Sequence, residues 1–207
     1  MKENNSDVYY GEIWYKLFRP FIALYYRLKF KPVVYGKENI PKKGPLIFCG
    51  NHRHVHDQYN VMIVTNRVIH YIAKDEYFKD YRKVFYKYIG CCIPVDRSIH
   101  DKKAKEAAIN ILKKGGAIGI FPEGTRNKTF GTDEEVIMLP FKFGAVSLAQ
   151  KTNARIVPFG TIGEYNGKKG QLITRIGKPI NVQNMDLKDA NALLRQNILD
   201  LMQKSEK

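Results

Sequence analysis

His52 and Asp57 stand five positions apart in Gly-Asn-His-Arg-His-Val-His-Asp, and Glu123 and Arg126 stand in Phe-Pro-Glu-Gly-Thr-Arg further along the chain. An imidazole with a pKa near 6.5 can take a proton close to neutral pH. A carboxylate that accepts the second ring N–H fixes the tautomer and stabilises the imidazolium that forms. Together they could strip the proton from an attacking hydroxyl. Five positions turn through about 500° on an ideal helix, so the two residues cannot share a helix face. They meet best if His52 lies in the turn before a helix and Asp57 in its first turn.

The elements that must position these residues are apolar runs. Pro45 to Cys49 reads as a strand that empties into the His and Asp cluster, and Ala117 to Phe121 as one that delivers Glu123 and Arg126. Open α/β sheets place ligand-contacting groups at the carboxyl ends of their strands. Further strands are expected at Val33 to Tyr35, Ile69 to Ala73, Cys92 to Val95, Arg155 to Phe159 and Leu172 to Ile176. Helices are expected from Asp57 to about Asn66, Tyr77 to Tyr88, Lys102 to Lys114, Phe141 to Lys151 and Leu187 to Gln203. A polar loop is expected at 127–135. The alternation predicts an α/β fold: a single domain with a largely parallel sheet flanked by helices, after a short amphipathic helical segment.

Four motifs in order resemble those of the glycerolipid acyltransferase superfamily, in particular the bacterial 1-acylglycerol-3-phosphate acyltransferases. They are Asn51-His52 with Asp57, Val95-Asp96-Arg97, Phe121 to Arg126, and Val157-Pro158 after a strand. The resemblance covers roughly Val33 to Gly163. It implies transfer of a fatty acyl group from a thioester to the free hydroxyl of a lysophosphatidate-like acceptor, giving phosphatidate. His52 would be the base and Asp57 its orienting partner. Acyl-CoA or acyl carrier protein would serve as co-substrate, with no metal or redox cofactor.

Arg97 and Arg126 have the chemistry of anion ligands, since guanidinium forks match phosphate oxygens; the resemblance assigns both to the acceptor's glycerol phosphate. Glu123 could accept from a glycerol hydroxyl or orient Arg126, with an internal ion pair as the plainer alternative. Gly124 suits an unusual backbone conformation or close substrate approach. Lys74 resembles a family lysine of the same site, and a solvated lysine is its plain alternative; Lys128 and Lys142 are weaker candidates. Related acyltransferases with another acceptor, such as glycerol-3-phosphate, another lysophospholipid or a lyso-aminolipid, fit the same motifs. The segment departs from the family at His54 and His56. As a strand, His52, His54 and His56 would share one side, a metal-binding arrangement; a metallohydrolase is therefore the rival reading. Cys49, three residues before His52, could form an acyl-enzyme, although a strand cysteine more often packs.

The chain carries 35 Lys and Arg against 20 Asp and Glu, a formal charge of +15. Such an excess favours anionic partners: a lipid surface, a phosphorylated substrate or an acidic carrier protein. A nucleic-acid-binding module would need only the charge and would leave Asp57 and Glu123 unexplained. Three cysteines make no disulfide framework and fit a reducing compartment. There is no secretory signal pattern and no run of the ~20 apolar residues that span a bilayer. From Tyr10 to Phe30, Tyr10, Trp14, Leu17, Phe21, Leu24 and Leu28 recur at helical spacing among Lys16, Arg19, Arg27, Lys29 and Lys31. Pro20 predicts a division into two short helices. The composition is that of an interfacial helix, with packing on the domain's own core as the alternative. The expectation is a membrane-association segment over 1–31 and an acyltransferase domain over 32–207, peripheral to anionic membrane on the cytoplasmic face.

Overall fold

The computed structural model describes residues 5–96, 99, 101–129 and 136–203, with side chains from residue 11 onward. Seven strands form one sheet: β1 (Val33–Tyr35), β2 (Leu46–Gly50), β3 (Ile69–Lys74), β4 (Ile93–Val95), β5 (Ala117–Ile120), β6 (Arg155–Gly163) and β7 (Leu172–Ile176). Their order is β1-β7-β6-β2-β5-β3-β4. Among these seven strands of the described residues, only β6 and β7 pair antiparallel. The carboxyl ends of β2, β3, β4, β5 and β6 therefore open on one edge.

The strands read as continuous apolar runs because both faces of the sheet are covered. Ile47, Cys49, Ile118 and Ile156 point into a core shared with α3 (Lys102–Lys113), α4 (Gly144–Thr152) and α5 (Leu187–Gln203). Leu46, Phe48, Ile69, Val157 and Phe159 fill the opposite face. On that side α1 (Asn5–Phe30) buries Tyr15, Ala23, Tyr26 and Phe30 against Met62 and Ile63, the last residue of α2 (Asp57–Met62) and the one after it.

The expected division at Pro20 does not occur: α1 is one helix of 26 residues with Pro20 inside it. Proline removes the bond to the carbonyl four residues earlier, here that of Lys16. Lys16 and Pro20 both lie on the exposed side, so the freed carbonyl has access to water. The expected apolar stripe also lies outward. Trp14, Leu17, Phe21, Leu24 and Leu28 are exposed, as are Ile13, Phe18 and Tyr25; the side chain of Tyr10 lies outside the described residues.

The helix expected over Tyr77 to Tyr88 is replaced by a 3-10 turn (Asp75–Phe78) and a π-helical turn (Val84–Ile89). Asp80 accepts from the Arg82 N–H (2.8 Å) and its side chain. This local bond competes with the helical ladder where the long helix would have run. The helix expected to reach about Asn66 ends at Met62. Val157 and Pro158 lie within β6, paired with Phe48 and Cys49, rather than after it. The polar loop at 127–135 falls partly outside the described residues, which stop at Thr129 and resume at Val136.

Candidate active site

β2 ends at Gly50, and Asn51 prolongs its pairing with β6. The Asn51 amide donates to the Thr161 carbonyl and accepts the Thr161 N–H, both at 2.8 Å. A Cβ at Gly50 would lie 2.3 Å from the Phe159 ring, so only glycine lets β2 run this close beneath it. His52 follows in the turn, and α2 begins at Asp57. This is the arrangement that the five-residue spacing requires.

His52 Nδ1 donates to Asp57 Oδ2 at 2.9 Å. Backbone N–H groups of Arg53 and His54 donate to the same oxygen, each at 2.7 Å. The Tyr165 hydroxyl donates to Oδ1 at 2.5 Å. Asp57 is 1% exposed, so these bonds replace its hydration. With Nδ1 engaged, Nε2 is the ring nitrogen left to accept a proton. Phe121 stacks on the imidazole at 4.1 Å and 12° between planes, fixing the ring's tilt, while the His52 side chain remains 17% exposed.

A second brace comes from the end of β5. Glu123 Oε1 accepts the His52 backbone N–H at 2.6 Å, and Oε2 accepts that of Leu139 at 2.9 Å. Asn127 donates its N–H to the His52 carbonyl at 2.6 Å. Burial raises the Glu123 pKa against those two N–H groups, which lower it. Glu123 makes no ion pair among the described residues, so the plainer alternative, an internal Glu123–Arg126 pair, is absent there. Gly124 adopts φ +73, the left-handed conformation expected of it, with the Lys142 side chain against its α-carbon.

Arg126 is exposed beyond this turn, near enough to His54 to help lower its pKa, although burial is the larger cause. Lys74 ends β3 on the same edge, half exposed, with Nζ 3.8 Å from Glu76. Val95 ends β4 on that edge; Arg97 lies outside the described residues. The strands thus bring His52, Asp57, Glu123, Gly124, Arg126 and Lys74 to one rim.

The three histidines do not line up as a strand would place them. His54 stacks on Tyr165 at 4.1 Å, and His56 packs against Phe30 at 5.0 Å. Among the described residues no three His, Cys, Asp or Glu side chains are grouped to hold a metal. Cys49 is fully buried, which pushes its thiol pKa up and away from the reactive thiolate.

Two contributors carry no motif. Tyr165 follows the carboxyl end of β6 and accepts from Asn60 Nδ2 at 2.8 Å while donating to Asp57; burial raises its pKa and keeps it a donor. Asn60 in turn accepts from the Tyr26 hydroxyl of α1 at 2.6 Å. The one available signal was that Tyr165 follows a strand whose neighbour carries His52.

A family model described as Acyltransferase matches residues 31–162. The chain is similar to the 1-acyl-sn-glycerol-3-phosphate acyltransferase of Bacillus subtilis, 34% identical, over 72% of this chain and 73% of that one. It is 35% identical to the enzyme of that name from Borreliella burgdorferi, over 62% of this chain but 50% of the relative's length. The crystal structure of the 1-acyl-sn-glycerophosphate acyltransferase of Thermotoga maritima has the same fold: TM-score 0.67 and 23% identity, over 91% of this chain and 83% of that one.

Proposed function

Because the chain belongs to the acyltransferase family, we propose that it transfers a fatty acyl group from a thioester to the free hydroxyl of 1-acylglycerol-3-phosphate, forming phosphatidate. The observation that carries this reading is the His52–Asp57 pair, braced through every hydrogen-bonding edge except Nε2. The acceptor hydroxyl attacks the thioester carbonyl as its proton passes to Nε2. The tetrahedral intermediate then collapses, the C–S bond breaks, and the imidazolium returns the proton to the departing thiolate. Asp57 stabilises that imidazolium. The Bacillus and Borreliella relatives, both 1-acyl-sn-glycerol-3-phosphate acyltransferases by name, support the acceptor. Acyl-CoA and acyl carrier protein are both anionic donors suited to a +15 chain. Arg126, with Arg97 and Lys74 as partners, would bind the acceptor phosphate.

The enzyme would work as a peripheral protein on anionic membrane, at the cytoplasmic face, with 1–31 as the association segment and 32–207 as the acyltransferase domain. No helix among the described residues is long and apolar enough to cross a membrane. The support is the outward face of α1, where Trp14, Leu17, Phe21, Leu24 and Leu28 are all exposed. The same helix reaches the site through Tyr26 and through Phe30, which packs on His56 and Tyr165.

The test supplies lysophosphatidate, glycerol-3-phosphate and a lyso-aminolipid together, with each donor in turn, and identifies the products by mass spectrometry. Phosphatidate as the dominant product is expected. Preferential acylation of another acceptor would overturn the substrate reading while leaving the family unchanged.

A further inference from the structure

A groove of about 550 Å³ runs between α1 and the segment after α2, away from the catalytic pair. α2 has six residues and is ~9 Å long; Asp57 opens it on the catalytic side, and its other end faces the groove. Arg19, Arg27 and Lys37 line the groove together with Pro20, Leu24 and Ile63, and no carboxylate does. Arg19 Nε donates to the Met62 carbonyl at 3.1 Å, and Arg27 Nη2 donates to that of Ile63. Each guanidinium is thereby anchored at one nitrogen. Among the described residues none of the three cations has a carboxylate partner; Glu38, next to Lys37, does not line the groove.

Like charges gathered without a counter-ion repel one another. Burial lowers the Arg19 pKa, and the nearby Arg27 lowers it further, with Tyr15 opposing. An anion would relieve that repulsion, and a phosphate would engage the unused guanidinium N–H groups. The rim is apolar where Pro20 and Leu24 continue into the outward face of Leu17, Phe21 and Leu28. Cationic floor and apolar rim complement the two halves of an anionic phospholipid, its phosphate and its acyl chains.

We propose that this groove binds the phosphate of an anionic phospholipid in the bilayer, with the lipid's chains against the outer face of α1. This inference rests on the reading of α1 as a membrane-docking helix. It adds a headgroup site, separate from the acceptor site, that orients the protein on the surface. The apolar rim favours a bilayer lipid over free phosphate or a nucleotide.

The test is co-sedimentation with vesicles of phosphatidylcholine alone or mixed with phosphatidylglycerol. Arg27→Gln with Lys37→Gln is compared with Lys102→Gln and Lys103→Gln, two exposed lysines that open α3. The side-chain amide that Arg27→Gln introduces could still donate to the Ile63 carbonyl, and Arg19 is left in place because it anchors Met62. The wild type should prefer the anionic vesicles. The groove variant should lose roughly thirtyfold of its affinity for them, as expected for two basic residues at an anionic surface, and the control pair much less. Equal losses in the two variants, or equal wild-type binding to both vesicles, would overturn the groove while sparing the docking helix. Wild type that pellets with neither vesicle would overturn the membrane reading itself. Should the double variant unfold, Lys37→Gln alone carries the comparison, since Lys37 is exposed and makes no described side-chain bond.

Discussion

The two halves of the candidate site are built in opposite ways. At the end of β2, His52 and Asp57 are held by a stacked ring, a buried carboxylate and several backbone N–H groups before any substrate arrives. At the ends of β5 and β3, Arg126 is exposed and Lys74 half exposed, with a loose contact to Glu76 as the only ion pair described for either. The difference follows from the chemistry. A base must present one nitrogen in one tautomer, and small displacements cost rate steeply. A cation awaiting phosphate gains from hydration until the ligand replaces it.

Removing the centre of the rigid half should have the largest effect. Asp57→Ala leaves the part-buried N–H groups of Arg53 and His54 without their acceptor, each costing up to about 1–3 kcal/mol. It also removes both orientation and charge from His52. Expected are turnover lowered about a thousandfold or more and a clearly lower midpoint in thermal melting; near-normal turnover would mean that the dyad is not catalytic. Asp57→Asn is a sharper probe. The two N–H groups at Oδ2 should hold the amide oxygen there, preserving the His52 tautomer; the charge is lost, together with the bond that Oδ1 accepts from the Tyr165 hydroxyl. The expected loss is about a hundredfold, below the ~10⁴ seen where such a change flips the tautomer. A fall as large as that of Asp57→Ala would show that the backbone does not impose the orientation.

The open half should respond through acceptor binding. Arg126→Ala should cost roughly tenfold to a hundredfold in kcat/KM, within the ~1.5–3 kcal/mol of a charged hydrogen bond, with lysophosphatidate and far less with an analogue lacking phosphate. Arg126→Lys should remain impaired because an ammonium cannot reproduce the fork. Equal losses on both acceptors would remove Arg126 from phosphate binding.

The smallest effect lies at the edge of the rigid half. Tyr165→Phe keeps the ring against His54 and Phe30 but removes one donor from Asp57. A severalfold fall in kcat with KM little changed is expected, about 1 kcal/mol for one hydrogen bond. The acid limb of the kcat/KM profile should move to higher pH, since less of the Asp57 charge is shared away from His52. An unmoved limb would make Tyr165 a packing residue only.

Much of this architecture was legible. Leu46 to Gly50 and Ala117 to Ile120 are apolar on every residue because both faces of the sheet are buried, and the five-residue spacing of His52 and Asp57 admits few arrangements. What was not legible depended on distant neighbours. Tyr165 is 108 positions from the carboxylate it touches. Both Glu123 oxygens accept backbone N–H groups, which leave no trace in side-chain chemistry. In α1 the regular stripe of large apolar residues lies outward, while the buried face is Tyr15, Ala23, Tyr26 and Phe30. A core-facing and an outward-facing stripe have the same period. Pro20 was misleading for a related reason: its cost depends on whether the carbonyl it frees can reach water.

The central claim is that Nε2 of His52 takes the acceptor proton, and turnover of His52→Ala measures it most directly. The assay follows phosphatidate formation from lysophosphatidate at saturating donor, with circular dichroism confirming the fold. A loss of roughly a hundredfold or more is expected for removal of a general base, with the secondary structure unchanged. A well-folded variant that retained near wild-type turnover would contradict the account.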